Sequence, residues 1–309
     1  MEIANQWTNA GEGISGIRNG RRDDARVITN LLREATYAHL HADWHYPGDW
    51  LGSPGFVVVE TLDNGLDGHP LASRLLSSQL DLQACLAVAA DPPPAAWVRV
   101  AALSKTHHSP QILAAMFASI LDFLHQESVT QLAWLLIESW PEAWISNLGF
   151  EQCNFVETFV METNDIPEVE ALPGLLIRPV QDADLKLLER IEADAFDPLW
   201  RHSVTGLVLA RRHALSFDVA ELDGKVVGFQ FSTPVPSGAH LARMTIDPTF
   251  QGSGIGTLLM AKTCDGYRRQ GIKNVTLNTQ ADNHASRRLY HRFGFRPNGQ
   301  RFPVWKVDI

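Results

Sequence analysis

A short turn with very little side-chain bulk lies at residues 251–256, where the sequence reads Gln-Gly-Ser-Gly-Ile-Gly. The preceding residues 241–246 alternate like a β-strand, and the following residues 255–269 place apolar side chains at helical spacing. Glycine allows positive φ angles and close approach of a ligand to the backbone. The first N–H groups of a helix and the positive end of its dipole favour anions. A strand, a glycine turn and a helix in this order therefore predict a phosphate site.

The glycine spacing excludes two common nucleotide loops, because one requires Gly-Lys-Ser/Thr and the other a further glycine with a later ribose-binding acid. A second segment, residues 283–295, reads Asn-His-Ala-Ser-Arg-Arg-Leu-Tyr-His-Arg-Phe-Gly-Phe. Gln-x-x-Gly-x-Gly and this segment together resemble two motifs of the GNAT superfamily of acyl-CoA-dependent N-acyltransferases. They correspond to its pyrophosphate loop and to Asn-x-x-Ala-x-x-x-Tyr-x-x-x-Gly-Phe, with Ser286 in the alanine place. The resemblance covers about residues 174–309.

The resemblance implies an α/β fold of the α+β type, with a mixed, mostly antiparallel sheet flanked by helices. Hydrophobic periodicity and turn residues agree with the family order of elements in the C-terminal half. The predicted strands are 175–180, 217–222, 226–233, 240–247, 273–280 and 301–308, and the predicted helices are 183–195, 198–213, 254–270 and 283–292.

The order of features in the C-terminal half recurs in the N-terminal half. Residues 17–24 begin Ile-Arg and end in Asp, as do residues 177–184, and Leu-Gly-Phe at 148–150 parallels Phe-Gly-Phe at 293–295. These matches predict an internal repeat of about 145 to 160 residues, and the chain as a whole therefore resembles a tandem GNAT protein. An acidic stretch with two prolines separates the copies and is typical of a linker. The predicted domains are 1–162, degenerate and non-catalytic; a linker at 163–173; and a catalytic domain at 174–309.

The first copy lacks the residues that the chemistry needs. Ser-Lys-Thr-His-His-Ser-Pro-Gln-Ile-Leu stands at 104–113 in place of the glycine loop, and no glycine occurs between Gly68 and Gly149. Ile145 occupies the position that corresponds to Tyr290 and has no proton to donate. We therefore predict that the N-terminal domain neither catalyses acyl transfer nor binds coenzyme A.

Composition is that of a globular protein long enough for two domains: 309 residues, 45% hydrophobic and 20% charged. The N-terminus has no basic segment followed by an apolar run, and no stretch of about 18 apolar residues occurs. We therefore expect a cytoplasmic protein without a membrane partner. Three cysteines without metal-ligand spacing suit reduced thiols better than a disulfide framework.

Charge is distributed unevenly along the chain. Residues 1–173 hold 8 Lys/Arg and 22 Asp/Glu, a net charge of −14, whereas residues 174–309 hold 18 and 13, a net charge of +5. A positive C-terminal half suits a ligand with several phosphates, although ordinary solvated surface explains the charges equally well. Nucleic-acid binding gains no support.

The resemblance also implies which residues hold the cosubstrate, acetyl-CoA. The backbone at Met244 and Ile246 would hold the pantetheine arm, with the Met244 amide facing the thioester oxygen. Asn283 would fix the coenzyme arm or the start of the following helix, and Ser286 lies in the same segment. The amides of the turn would bind the pyrophosphate, namely those of Gln251, Gly252, Ser253, Gly254, Ile255 and Gly256.

Catalysis requires a proton donor for the leaving thiolate and a base for the amine. By resemblance Tyr290 is the general acid; the alternative is a core tyrosine packed against Phe293 and Phe295. By resemblance His240 is the candidate base, since it stands four residues before Met244, where some branches of the family have a carboxylate base; an unperturbed imidazole pKa of about 6.5 suits the task. Asp197, His202 or a water relay are substitutes.

A cluster of potential metal ligands lies at residues 39–45, which read His-Leu-His-Ala-Asp-Trp-His. Its spacing matches no zinc pattern, and one element cannot turn all four ligands inward. We therefore expect an aromatic acceptor-side loop and no metal.

The sequence thus predicts an acetyl-CoA-dependent N-acetyltransferase that acts on a primary amine of a small molecule or peptide by direct attack. A mycothiol-type amino-sugar thiol is an alternative acceptor, and a non-catalytic acyl-CoA sensor is an alternative function. We expect a monomeric pseudo-dimer or a homodimer.

Overall fold

The computed structural model describes residues 2–41, 43–61, 82–162 and 166–309. Contacts between Cα atoms divide the chain into two compact units, one of residues 1–153 and 304–309 and one of residues 154–303. The first residues of the predicted linker, 163–165, lie outside the described residues. None of the helices in the described ranges combines the length and the apolar composition that crossing a membrane requires.

The first unit is a mixed sheet with helices packed on both faces. Its strands are β1 (Ile17–Asn19), β2 (Tyr37–Leu40), β3 (Phe56–Glu60), β4 (Leu82–Ala89), β5 (Ala95–Leu103), β6 (Gln131–Leu135) and, from residue 304 on, β13 (Arg296–Asp308). Its helices are α1 (Glu2–Ala10), α2 (Ala25–Glu34), α3 (Ser109–Ser119), α4 (Leu121–Gln126) and α5 (Glu142–Ile145). The order is β1-β3-β4-β5-β6-β13, β2 also pairs with β5, and among these described strands only β5 and β6 run parallel. Along β5, Ala101 and Leu103 pack in the cluster that contains α3, whereas Val100 and Ala102 pack with α2, as the two-residue period of a strand requires.

The second unit has the same plan. Its strands are β7 (Glu151–Glu162) from residue 154 on, β8 (Leu175–Pro179), β9 (Ser216–Leu222), β10 (Lys225–Val235), β11 (Gly238–Ile246) and β12 (Asn274–Gln280). Its helices are α6 (Leu185–Ala195), α7 (Val204–His213), α8 (Ile255–Arg269) and α9 (His284–Arg292). The order is β7-β12-β11-β10-β9-β8, with β11 and β12 parallel. The predicted fold class, mixed sheets flanked by helices, is confirmed.

Each unit includes one strand from the other half of the sequence. In the second unit, β7 pairs antiparallel with β12 over residues 156–162. In the first unit, β13 pairs antiparallel with β6 over residues 304–308, and Val307 lies in the core of that unit. The division therefore differs from the predicted boundaries at both chain segments. Strand pairing joins residues far apart in sequence, so a local composition shift does not reveal it.

The Arg and Asp residues that suggested the repeat form the same ion pair in each unit. Arg18 bonds Asp24 at 2.7 Å, and Arg178 bonds Asp184 at 2.7 Å. Each aspartate also accepts a hydrogen bond from the backbone N–H of the residue three positions earlier, at 2.7 Å for Asp24 and 2.8 Å for Asp184. This bond stabilises the start of the helix that follows. The hydrogen bond from the guanidinium lowers the pKa of Asp24 and of Asp184.

The predicted helix 198–213 is wrong in its first part. Pro198–Trp200 forms a short 3-10 turn, and α7 begins only at Val204. Ser203 sets this start, because its hydroxyl accepts the N–H of Gly206 at 2.9 Å and caps the helix.

Candidate active site

Strands β11 and β12 of the second unit separate halfway along their length. They pair from Gly238–Asn274 to Leu241–Leu277. Beyond that point β11 stays with β10, and β12 stays with β7 as far as Gln280. Ala242 is the extra residue of a bulge in β11, and a bulge bends and twists the strand that contains it. A slot therefore opens beside residues 242–246, which have a strand partner on one edge only among the described strands.

Two backbone amides of β11 point into this slot. The N–H of Asp247 donates to Val227 of the neighbouring strand at 2.9 Å, on the β10 side. Successive N–H groups of an extended strand point to opposite edges, so those of Met244 and Ile246 point to the open edge. Both residues are only partly buried. These are the two positions at which the sequence resemblance placed the pantetheine arm.

The glycine turn follows the open strand directly. Gly252 and Gly254 have φ angles of +77° and +91°, and both lie in open space. A side chain in this region of φ is strained, so conformation requires glycine at both positions. Among the described residues, none accepts a hydrogen bond from the amides of 252–255. The turn is exposed, and its N–H groups are available to an anion.

Side chains on either side hold the turn against the sheet. The Gln251 amide nitrogen donates to the Ile246 carbonyl at 3.1 Å, and the Ser253 hydroxyl donates to the Phe250 carbonyl at 2.5 Å. Ile255 is buried, and a Cβ at Gly256 would lie 3.5 Å from Ile246. The N-terminus of α8 therefore lies beside the end of β11, where the slot opens.

Helix α9 brings the second motif to this unit. The Asn283 side chain accepts the N–H of Ser286 at 3.1 Å and caps the helix. Tyr290 follows two turns later and is buried, with its ring centroid 5.9 Å from that of Phe295 and 6.4 Å from that of Phe159. Burial raises the pKa of Tyr290, which a hydrogen bond with Ser286 partly opposes. The phenol thus stays protonated at neutral pH, and it also packs in the core as the alternative interpretation required.

His240 lies on β11 before the slot opens. Its Nδ1 is 2.8 Å from the Thr276 hydroxyl, and burial lowers its pKa to about 4. The pKa of His240 thus lies below the unperturbed value of about 6.5, and an alternating strand does not reveal how deeply a residue is buried. With this pKa His240 is a weak base. Asp197 and His202 lie in the segment between α6 and α7, where Asp197 is exposed.

One polar cluster in this unit was not predicted from the sequence. Glu192 of α6 is fully buried and binds Arg243 and Thr245, the neighbours of Met244 in β11. A glutamate on the apolar face of an amphipathic helix, directly after Ile191, is the signal that could have revealed it.

In the first unit the equivalent slot is filled by the chain itself. Ala95 pairs with Gln131 as Gly238 pairs with Asn274, 143 residues further along in both strands. With this offset Ala101 and Leu103 correspond to Met244 and Ile246. Strand β2 pairs with β5 at these positions, placing His39 opposite Ala101 and Tyr37 opposite Leu103.

The hydrogen-bond directions agree with this correspondence. The N–H of Ser104 points to β4, where it donates to Gln83 at 2.9 Å, so that of Leu103 points to β2. His41 continues the ladder by donating to Arg99 at 2.9 Å. Strand β2 thus occupies the edge that is open in the second unit.

The segment that replaces the glycine turn forms hydrogen bonds within itself. The Ser109 hydroxyl accepts the N–H of Thr106 at 2.9 Å and donates to the Ser104 carbonyl at 3.0 Å. An amide at the start of α3 is therefore already bonded, in contrast to the glycine turn of the second unit.

The side chains of the histidine cluster at residues 39–45 in the first unit contact several different residues. Asp43 binds Arg99 at 2.5 Å, and the His39 and His41 ring centroids are 6.4 Å apart. Burial lowers the pKa of His39 and of His41 to about 3. No group of three or more ligating side chains able to hold a metal occurs in the part of the chain that the structure describes.

An open pocket of about 610 Å³ lies in the second unit, lined by Glu162, Asn274 and Arg296 among others. Asn274 is the first residue of β12, whereas the slot opens towards its last residue, Gln280. The pocket is therefore at the other end of the strand and is not the slot.

Comparison with known sequences identifies the second half. The sequence pattern of the acetyltransferase (GNAT) family matches residues 185–295. An uncharacterized N-acetyltransferase of Methanocaldococcus jannaschii is 31% identical over 126 residues, which cover 40% of this chain and 78% of that protein. Mycothiol acetyltransferase of Nocardia farcinica is 30% identical over 157 residues, 44% of this chain and 50% of that enzyme.

Solved structures share the fold across both units. A GCN5-related N-acetyltransferase from Sphaerobacter thermophilus superposes with a TM-score of 0.59 at 15% identity, covering 94% of this chain and 95% of the other. A tandem GNAT protein from the clavulanic acid biosynthesis pathway superposes with a TM-score of 0.52 at 16% identity, covering 99% of this chain and 95% of the other. At these identities the likeness concerns the fold alone.

Proposed function

The chain belongs to the GNAT family of acetyltransferases and is an acyltransferase enzyme, and on this basis we propose that its second unit transfers an acetyl group from acetyl-CoA to a primary amine. The observation that carries the proposal is the slot between β11 and β12, which opens directly beside the N-terminus of α8. An extended chain with a pyrophosphate at one end matches this arrangement of open strand amides and open turn amides.

The residues of the chain would divide the binding of acetyl-CoA between two places. The amides of 252–256 hold the pyrophosphate, whereas the Gln251 N–H already donates to the Pro248 carbonyl at 3.3 Å. The Met244 and Ile246 backbone holds the pantetheine arm as an added strand would be held. Asn283 and Ser286 act from the start of α9, where the Asn283 side chain is already used as a helix cap.

Acetyl-CoA supplies the acetyl group as a thioester. The Met244 N–H donates a hydrogen bond to the carbonyl oxygen and favours attack by the neutral amine on the carbonyl carbon. Tyr290 donates its proton to the leaving sulfur, since its raised pKa keeps the phenol protonated. His240 accepts the amine proton directly or through water; Asp197 and His202 are the substitutes, and the low pKa of His240 favours them.

We assign no acyl transfer to the first unit. Strand β2 takes the edge of β5 that the coenzyme arm would need, and Ser109 takes an amide of the replaced turn. The first unit would then contribute to stability. The acidic surplus of residues 1–173 suits a cationic small molecule or a peptide amine as acceptor.

The likeness to mycothiol acetyltransferase favours an amino-sugar thiol as the alternative acceptor. The alternative from another class is an acyl-CoA sensor that binds without turnover. An acceptor screen that includes polyamines, peptides with free N-termini and amino sugars distinguishes these possibilities, because a sensor releases no free CoA with any of them.

Calorimetric titration with acetyl-CoA tests the proposal. We expect one site per chain in the wild type and a Kd at least about 30-fold weaker in Gly254→Glu, where a carboxylate fills the turn and repels the pyrophosphate. The matched control is Gly299→Glu, because Gly299 also has a positive φ, +89°, and open surroundings. Both variants carry the same strain and charge, so only a loss specific to Gly254 supports the site. Two sites would overturn the assignment of the first unit, and no binding would overturn the proposed function.

A further inference from the structure

Glu192 is a buried carboxylate that the proposed chemistry does not use. Its side chain is fully shielded from solvent near the end of α6. Burying a charge is unfavourable unless the charge is paired and hydrogen-bonded. A fully buried glutamate beside the open strand therefore calls for a specific role.

The partners of Glu192 are both on β11. Its Oε1 accepts hydrogen bonds from Arg243 Nε at 3.0 Å and from Thr245 Oγ1 at 2.6 Å, and its Oε2 accepts one from Arg243 Nη2. The contact with Arg243 is a two-point pairing of a planar guanidinium with a carboxylate, which fixes direction as well as distance.

The same guanidinium also holds the segment between α6 and α7. Arg243 Nη2 donates to the Trp200 carbonyl at 2.6 Å, and the guanidinium carbon lies 3.7 Å from the centre of the Phe196 ring. Asp197 lies within this segment. One side chain thus ties the open strand to the segment that carries substitute bases.

These contacts bracket Met244. Arg243 and Thr245 turn to the α6 face of β11, because successive side chains of a strand alternate between faces. Their own N–H groups point to β10, and the N–H of Met244 points into the slot. Among the strands that the structure describes, β11 has one partner in this stretch, and a bulge lies at its start, so the sheet alone holds it weakly.

We propose that Glu192 and Arg243 are positioning residues, a buried clasp that fixes β11 on both sides of Met244 so that its N–H meets the thioester carbonyl oxygen. The clasp rests on the proposed function and assigns to it two residues that touch neither substrate. The Arg243 charge also opposes the effect of burial on the pKa of Tyr290, which places the guanidinium within electrostatic reach of the proposed acid.

The test compares the Kd values of acetyl-CoA and of CoA, because only acetyl-CoA has the carbonyl oxygen. One hydrogen bond is worth roughly 2- to 10-fold in affinity, and the wild type should prefer acetyl-CoA by such a factor. Glu192→Gln should reduce the preference to about onefold and leave the Kd of CoA unchanged within about twofold. Thr245→Val removes a single hydrogen bond, provides a milder variant if Glu192→Gln does not fold, and should reduce the preference in part.

Arg243→Lys keeps the charge but cannot pair at two points and reach Trp200, so it should behave like Glu192→Gln. The matched control is Asp184→Asn, which removes another buried carboxylate–arginine pair from the same unit, away from β11. It should keep the wild-type preference.

A preference retained in Glu192→Gln, or an equal weakening of both ligands, would overturn the clasp and leave the proposed function standing. A wild type that binds acetyl-CoA and CoA equally well would also overturn the clasp and leave the proposed function standing. A wild type that binds neither ligand would overturn the proposed function, and the clasp with it.

Discussion

His39 lies directly opposite Ala101 in the pairing of β2 with β5. Ala101 is the residue of the first unit that corresponds to Met244 in the second. The chain therefore supplies its own strand where the other unit leaves an edge open. Amide hydrogen exchange should show this difference, because paired amides are protected and open ones are not. We expect the amides of residues 100–103 to be protected with or without acetyl-CoA, and the amides of Met244 and Ile246 to gain protection only when acetyl-CoA is added. Gain of protection in both segments would contradict the assignment.

Replacing Tyr290 by Phe removes the proposed acid but keeps most of the packing. We expect kcat to fall by about 10²- to 10⁴-fold, with the Kd of acetyl-CoA changed by less than about threefold. Tyr267→Phe is the control, since Tyr267 is likewise buried and bonded, to Ser232, but lies in α8. It should lower stability and leave kcat near that of the wild type. Equal kcat values for wild type and Tyr290→Phe, measured with an identified acceptor, would remove the acid role.

Because of its buried histidines, the protein should lose stability on acidification at pH values above those at which carboxylates titrate. The folded-state pKa is about 3 for His39 and His41 and about 4 for His240, against about 6.5 in the unfolded chain. As pH falls below about 6.5, the unfolded chain therefore binds protons that the folded chain does not, and stability falls. Each histidine contributes up to about 1.4 kcal/mol per pH unit.

Urea unfolding midpoints between about pH 7.5 and 5 measure this effect. Replacing His240 by Gln should flatten the pH dependence by about one histidine's share. Replacing the exposed His284 by Gln should not. An unchanged slope in the His240 variant would show that this imidazole titrates in the folded protein over the same pH range as in the unfolded chain.

The last residues of β13, 304–308, should stabilise the first unit, to which they belong. Val307 is 3% exposed and packs in the core of the first unit. Val307→Ala should lower the free energy of unfolding of that unit by about 2 kcal/mol and speed amide exchange in residues 131–135, the partner strand. Val160→Ala, at an exposed position of β7, should have little effect on either. Faster exchange confined to the second unit would contradict the strand assignment.

The sequence alone determined the parts of the site that depend on local conformation. Positive φ at Gly252 and Gly254 requires residues without a Cβ, and the Asn283 cap depends on an N–H only three residues away. Such short-range requirements leave a readable pattern, so the turn, the helix start and most strands were predicted. Helix α7 shows the limit even here, since the predicted start at residue 198 lies before the Ser203 cap.

Only the tertiary structure decided which strands complete each sheet and which side chains lose contact with water. The insertion of β2 beside β5, and the positions of β7 and β13, depend on hydrogen bonds between residues far apart in the sequence. The low pKa of His240 depends on packing from other elements. Backbone N–H and C=O groups are the same in every residue, so the side-chain pattern does not record which edge a strand will join.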